Sequence, residues 1–498
     1  MWERLERREL KRRGRRMAAP APGQRPDASL PAGTDLLPQI KHIVVLMMEN
    51  HSYDNYLGML AGRGDGFSLD RDGQPETANP HAEGKMIRSH NALSTRQVDG
   101  VPCQSWHASH LQWADGRMDG FVTSTQSIEP DADETVAMGY WTERDLPFYY
   151  GLARTFPLAD RWFSSCLGPT FPNRRFLIAG TANGLVDDLP LHLLDYPPNG
   201  TIFDVLSRHG ISWADYHPVG GDQRRFVQVA RHRRRMARRR LGWLAEEFID
   251  TCDVKKDIVF TADLFPLGIG GHMLHVRGLD AFFDDADNGT LPGFSIVDPS
   301  FQEFSEENPQ DILKGESFAA EVINRVMRGK GWPGTVLIWT YDEHGGYYDH
   351  VPPPAAVPPD DVHGRAMAKR PAWMSAMYRL LAPRMAADAE DDRGPMRYDR
   401  YGIRVPAVIV SPMARPDFVL HDVLDHTSVL KLVEEKWNLP ALTRRDAAAR
   451  SPAGALDLTG PAAFLDPPVL PEPSLAWGSW SPGTRGLSGW PGRARQRG

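Results

Sequence analysis

Short apolar runs, each closed by polar, glycine or proline residues, punctuate the chain: IVVLMM at 43–48, GISWADYH at 210–217, PGFSIVDP at 292–299, GTVLIWTYDE at 334–343 and VPAVIVSP at 405–412. Continuous runs of this length, rich in β-branched residues, suit strands buried on both faces. Between them the period changes. TIFDVLSRHG from Thr201 and ESFAAEVINRVMRGKG from Glu316 place apolar residues three and four apart, which gives a helix one apolar face. Strands alternating with helices predict an α/β fold with a mainly parallel sheet covered on both faces. Ligands of such sheets sit beyond the carboxyl ends of the strands, where the polar residues of this sequence gather.

The pattern fades in three places. Residues 1–37 open with dense charge, turn rich in Pro, Ala and Gly, and read as a disordered leader. Residues 355–400, with PAAVPPDDVHGR and MAADAEDDRG, read as an insertion on the sheet, and 466–498 as a Pro/Gly-rich tail. The stretch between leader and tail, 38–465, is then one domain. Arg15 and Arg16 are not followed by an apolar stretch of signal-peptide length, so no signal peptide is read and a cytoplasmic location is expected. Secretion is the alternative if the true start lies elsewhere.

Composition narrows the classes. Among 498 residues, 57 basic side chains against 64 acidic ones give a net charge of −7, which argues against general nucleic-acid binding. No uncharged apolar run approaches the ~20 residues of a bilayer span, so no transmembrane segment is expected. Three cysteines, Cys103, Cys166 and Cys252, are too few for a disulfide scaffold or a thiolate zinc site. The block RHRRRMARRR at 231–240, opening on Arg231 and closing on Arg240, carries seven arginines in ten positions. It reads either as a solvated helix face or as a peripheral contact for an anionic membrane surface.

Candidate chemistry lies at the ends of the apolar runs. Glu49 and Asn50 close the first, and a carboxylate beside an amide oxygen can ligate a hard cation. Asp342 and Glu343 close another; adjacent acids facing one cleft repel unless a cation lies between them. In Gly168-Pro169-Thr170-Phe171-Pro172-Asn173-Arg174-Arg175 the glycine and prolines impose a turn with Thr170 at its apex. A threonine hydroxyl becomes a competent nucleophile beside a metal ion, and Asn173 with Arg174 or Arg175 could hold phosphoryl oxygens. Gly-x-Ser-x-Gly, a Walker loop and His-Glu-x-x-His are all absent.

ENHSYDNYLG, GPTFPNRRFLIAGT and TYDEHGGYYDHVPPP, in this order, resemble the bacterial phosphoesterase family that includes phosphatidylcholine-type phospholipases C and a group of acid phosphatases. The resemblance covers roughly residues 38–445 and takes in RMDGF, GTLPGFSIVDPSF, YGIRVPAVIVSP and DHTSVLKLVEEKW. It implies an alkaline-phosphatase-like, three-layer α/β/α sandwich. It makes 38–465 the catalytic domain and Thr170 the nucleophile of a phosphothreonine intermediate. Glu49, Asn50, Thr170, Asp342 and Glu343 are then grouped around one divalent ion, for which Mg, Mn, Ca, Fe and Zn all stay open. His272 and His275 fall where the family places an acid/base histidine, and His350 with Asp349 is expected to support the acidic loop. The chain departs from the family at two usual histidines, represented here by Gln104 and Asn308; His107 or His110 is a substitute for the first.

The expected substrate is a phospholipid, with phospholipase C activity releasing diacylglycerol and a phosphorylated headgroup. Trp106, Trp113, Phe121, Trp141 and Phe148-Tyr149-Tyr150 are the aromatics that could face lipid if they are not core. An acid phosphatase acting on small phosphomonoesters is the nearest alternative. A catalytically silent anion- or membrane-binding protein is the alternative from outside enzymology.

Overall fold

A computed structural model describes residues 23–97, 100–129, 132–188, 196–218, 261–265, 272–301, 303–364 and 396–477. The arginine block at 231–240, residues 365–395 of the expected insertion, 1–22 of the expected leader and 478–498 of the expected tail lie outside the described residues.

Each apolar run contains a strand: β1 (His42–Met48), β3 (Trp213–His217), β5 (Phe294–Val297), β6 (Thr335–Tyr341) and β7 (Ala407–Val410). Three strands of two or three residues, β2 (Leu158–Ala159), β4 (Val276–Gly278) and β8 (Val419–Leu420), are too short to leave a periodic signal. Together they form an eight-stranded sheet in the order β8-β2-β7-β6-β1-β5-β3-β4. All neighbours are parallel except at β7, which runs against both β6 and β2. Every residue of β6 is buried, as is all of β1 after His42. That is why both read as unbroken apolar runs, and why the antiparallel direction of β7 left no mark: burial on two faces looks the same either way.

The helices that bear on the site are α1 (Tyr53–Leu57), α2 (Trp106–Trp113), α3 (Pro147–Thr155), α4 (Thr170–Ala179), α5 (Ile202–Arg208), α6 (Ile312–Arg328) and α7 (Thr427–Trp437). Thr201 and Asp204 cap α5 reciprocally. Asp311 caps α6, which starts four residues before the periodic stretch.

Residues 27–36, within the stretch read as leader, lie against the end of α7. The Asn438 side chain donates to the carbonyls of Asp27, Leu30 and Pro31, and Lys436 Nζ lies 2.8 Å from Asp35. At the other end, the Trp477 ring lies 5.6 Å from both Phe304 and Phe318.

Candidate active site

Met48 pairs with Tyr341 at the last rung between β1 and β6, so Glu49-Asn50 and Asp342-Glu343 leave the sheet side by side at its carboxyl edge. All four are buried. Asp342 Oδ1 accepts from the Glu343 amide at 2.8 Å, and Glu343 Oε2 from the Gly345 amide at 2.7 Å. Asn50 Nδ2 donates to Gln104 Oε1 at 3.2 Å. Three buried oxygens, Glu49 Oε2, Asn50 Oδ1 and Glu343 Oε1, have no hydrogen-bond partner among the described residues. Burial raises the Glu49 and Glu343 carboxyls well above the usual range, and the nearby Asp342 charge adds to both; Arg174 pulls Glu49 the other way. Unpaired, inaccessible oxygens and crowded carboxylates are what a hard divalent ion would satisfy, so the donor set fits one.

The stretch 168–175 turns into α4, whose first residue is Thr170. Asn173 holds this turn: its Oδ1 accepts from the Cys166 amide at 3.0 Å and its Nδ2 donates to the carbonyls of Gly168 (2.8 Å), Pro169 (3.0 Å) and Cys166 (3.3 Å). The expectation that Asn173 grips a phosphoryl oxygen is therefore corrected, because its amide is spent on the backbone. Arg174 needs the same correction. Its Nε meets Asp342 Oδ2 at 2.8 Å, and its Nη1 meets Asp298 Oδ1 at 2.7 Å and Thr261 Oγ1 at 2.8 Å. Its Nη2 reaches the Met47 and Met48 carbonyls and lies 3.4 Å from Glu49 Oε1. All five N–H groups have acceptors, so the guanidinium ties three carboxylates from neighbouring strands instead of clamping substrate. Thr170 stands one helical turn before Arg174, on the same face of α4. Arg175 donates to the Leu264 and Ala182 carbonyls.

Sequence reasoning missed Asp188. Its Oδ1 accepts from the Phe171 amide, next to Thr170, at 2.7 Å, and its charge raises both Asp342 and Glu343. Nothing in the spacing of residues 170 and 188 announces this contact.

His272 and His275 lie elsewhere. His275 Nδ1 bonds the Trp213 carbonyl at 2.9 Å and its ring stacks on Trp213 at 4.3 Å, while His272 Nε2 lies 3.2 Å from Asp204 Oδ1. Trp213 and Ile43 both pair with Phe294, at the amino end of the parallel strands, six residues or about 20 Å before Glu49. Their assignment as catalytic histidines is corrected accordingly. The imidazoles at the carboxyl edge are others: His217 at the tip of β3, His344 beside Glu343, and His426, whose Nε2 donates to the Asp342 carbonyl at 2.7 Å. Burial lowers them to about 4, 3 and 4, so all three are neutral near pH 7. Asn308 Nδ2 donates to the Gly100 carbonyl at 3.0 Å, and His110 Nδ1 is bonded to the Trp106 carbonyl at 2.7 Å.

Asp54, Asp349 and His350 also bring ligand-type atoms close together. Arg404 already fills that space: Nε lies 2.9 Å from Asp349 Oδ1 and Nη2 3.1 Å from Asp54 Oδ1. The remaining carboxylate oxygens accept from the Asp54 and His350 amides. Burial by itself would lower His350, but Asp54 and Asp349 raise it to about 9. This is a satisfied ion-pair network behind the acidic loop, where His350 and Asp349 were expected to act. The aromatics Phe121, Trp141, Phe148, Tyr149 and Tyr150 are all buried core residues, whereas Trp106 and Trp113 are part-exposed.

A model of the phosphoesterase family matches residues 40–440. Over 470 residues the chain is 28% identical to non-specific phospholipase C1 of Arabidopsis thaliana, covering 89% of this chain and 75% of that protein. It is likewise 28% identical to phospholipase C B of Mycobacterium tuberculosis, over 88% of this chain and 80% of the relative. The non-hemolytic phospholipase C of Pseudomonas aeruginosa matches at 28% over 88% of this chain, but over 59% of its own length. No helix among the described residues is long and apolar enough to cross a membrane.

Proposed function

The chain belongs to the phosphoesterase family, and from that premise we propose that it is a metal-dependent, phospholipase C-like hydrolase that cleaves glycerophospholipid phosphodiesters through a phosphothreonine on Thr170. Hydrolysis of phosphoester bonds is the family's reaction. The observation that carries the finer reading is the set of three unpartnered, buried oxygens of Glu49, Asn50 and Glu343 on adjacent strand tips. The three-layer α/β/α arrangement, the alkaline-phosphatase-like fold and a membrane contact through residues 231–240 belong to the same proposal.

Glu49, Asn50, Thr170, Asp342 and Glu343 would hold one divalent ion. When bound, such an ion offsets phosphoryl charge and eases deprotonation of a neighbouring hydroxyl. The chain's own parts do the rest. Thr170 opens a ten-residue helix whose amino-terminal dipole favours an anionic phosphoryl group beside it. Its Oγ1 attacks phosphorus in line with the diacylglycerol oxygen; the P–Oγ1 bond forms, the bond to diacylglycerol breaks, and the alcohol leaves with a proton. Water then cleaves the P–Oγ1 bond and releases the phosphorylated headgroup, two inversions giving retention at phosphorus. Arg174 keeps Asp342, Asp298 and Glu49 in place throughout.

The test is hydrolysis of phosphatidylcholine in mixed micelles and of p-nitrophenyl phosphate, each before and after chelation and after return of single divalent ions. Diester turnover exceeding monoester turnover, lost with chelator and restored by metal, is the expected result. Monoester turnover alone would favour the acid phosphatase alternative, and no turnover with any ion the silent binding protein.

A further inference from the structure

Glu306 is fully buried, and among the described residues it forms no ion pair. Its carboxyl group is instead enclosed by phenols from three separate elements. Oε2 accepts from Tyr56 of α1 at 2.9 Å and from Tyr341, the last residue of β6; Oε1 accepts from Tyr149 of α3 at 2.7 Å. Its backbone lies in the left-handed region at φ +79°, unusual for a residue with a side chain. Space for that side chain exists because residue 315 of α6 is glycine: a Cβ there would fall 2.0 Å from Glu306 Cγ. Burial raises the carboxyl to about 8 against the opposing pull of the three phenols.

The surroundings of Glu306 reach both acidic tips. Tyr341 directly precedes Asp342. The Glu306 carbonyl accepts from His51 Nε2 at 3.1 Å, and His51 directly follows Asn50. The preceding carbonyl, of Ser305, accepts from the Glu49 amide at 3.0 Å. One strained, buried residue thus grips the chain on either side of the donor set without touching it. Backbone strain of this kind survives only where the surroundings over-determine it, and it concentrates near functional sites.

Resting on the metal-dependent reading above, we infer that Glu306 is a positioning residue, whose three-phenol cage sets the separation of the Glu49-Asn50 and Asp342-Glu343 tips and so the affinity of the donor set for its ion. Both carboxyl oxygens accept whether or not the group carries its proton, so together they can take all three phenol protons; an isosteric amide offers one accepting oxygen and must turn its NH2 toward at least one phenol.

The test compares full-length wild type, E306Q and Y341F by calorimetric titration with Mn2+, by kcat and KM on a soluble chromogenic phosphodiester, and by thermal midpoint. E306Q is expected to weaken Mn2+ binding by about tenfold or more, the scale found when groups behind metal ligands are removed, with kcat falling in step and KM changing less. Y341F should move the same way by a smaller factor, and it decides the matter alone if E306Q does not fold. Unchanged Mn2+ affinity and kcat in the folded variants, with only the thermal midpoint lowered, overturns the inference and leaves the metal-dependent reading standing. Wild-type protein that takes up no divalent ion sinks both.

Discussion

Thr170 is nearly inaccessible, at 6% exposure, and heads a helix whose turn is held by the Asn173 amide and not by the threonine hydroxyl. Function and fold are therefore separable at this residue. Thr170→Ala is expected to lower turnover about a thousandfold or more while changing unfolding free energy by about 1 kcal/mol or less; activity near wild type in the purified variant would remove Thr170 from the mechanism. His275 presents the opposite case. Its ring stacks on Trp213 and bonds the Trp213 carbonyl, so His275→Ala should cost about 1–2 kcal/mol in a denaturant titration and leave kcat/KM unaltered. A large loss of kcat/KM with intact stability would restore it to the site. A short motif singles out Thr170 because a local turn presents it, but no motif could rank the histidines, since position along a strand determines which end of the sheet a side chain reaches.

At the scale of elements, the site is a property of strand tips and of the turns that close them. Gly345 has φ +67°, and a Cβ there would meet the Asn50 carbonyl oxygen at 2.0 Å. The turn after β6 is therefore pressed against the segment after β1, with no room for a side chain. Gly345→Ala should lower stability by about 2 kcal/mol or more and weaken activity as well, because the backbone that must yield carries Asn50; a thermal midpoint equal to wild type would contradict this. Arg174 links elements in another way. Projecting from α4, it binds Asp298 after β5, Glu49 after β1 and Asp342 after β6, so the helix of Thr170 and three strand tips share one anchor. The sequence showed an arginine close to a threonine and suggested a phosphate clamp. The acids that engage that arginine lie more than a hundred residues away in either direction.

For the molecule as a whole, buried carboxyls shape the response to pH. Burial lifts Glu306 and Glu316 from an ordinary 4.5 to about 8. Between those values the folded chain keeps protons that the unfolded chain has released. Their contribution is therefore intact below about pH 4.5 and declines as pH rises toward 8, by roughly 1.4 kcal/mol per unit for each group. Below about pH 6.5 the buried imidazoles of His217, His344 and His426, neutral in the fold, act in the opposite direction. The carboxyl effect should therefore show in the metal-free protein as a higher thermal midpoint at about pH 6.5 than at pH 8. Glu316→Gln, which keeps an acceptor for the Phe148 and Tyr149 amides, should shrink that difference; an unchanged slope would refute the assignment to Glu316.

The amino-acid order alone carried the α/β class, the places of the five longer strands and the acids at the ends of two of them. Those features are written in local hydrophobic runs, because a strand buried on both faces is mostly apolar until it leaves the sheet. Folding in three dimensions settled the remainder: the reversed direction of β7, the placement of His272 and His275 at the far edge, the engagement of Arg174, and the meeting of Asp188 and Glu306 with the neighbourhood of the site. Each depends on contacts between segments distant along the chain or on which end of a strand a residue occupies, and such contacts arise from packing, for which neither spacing nor composition supplies a local signal.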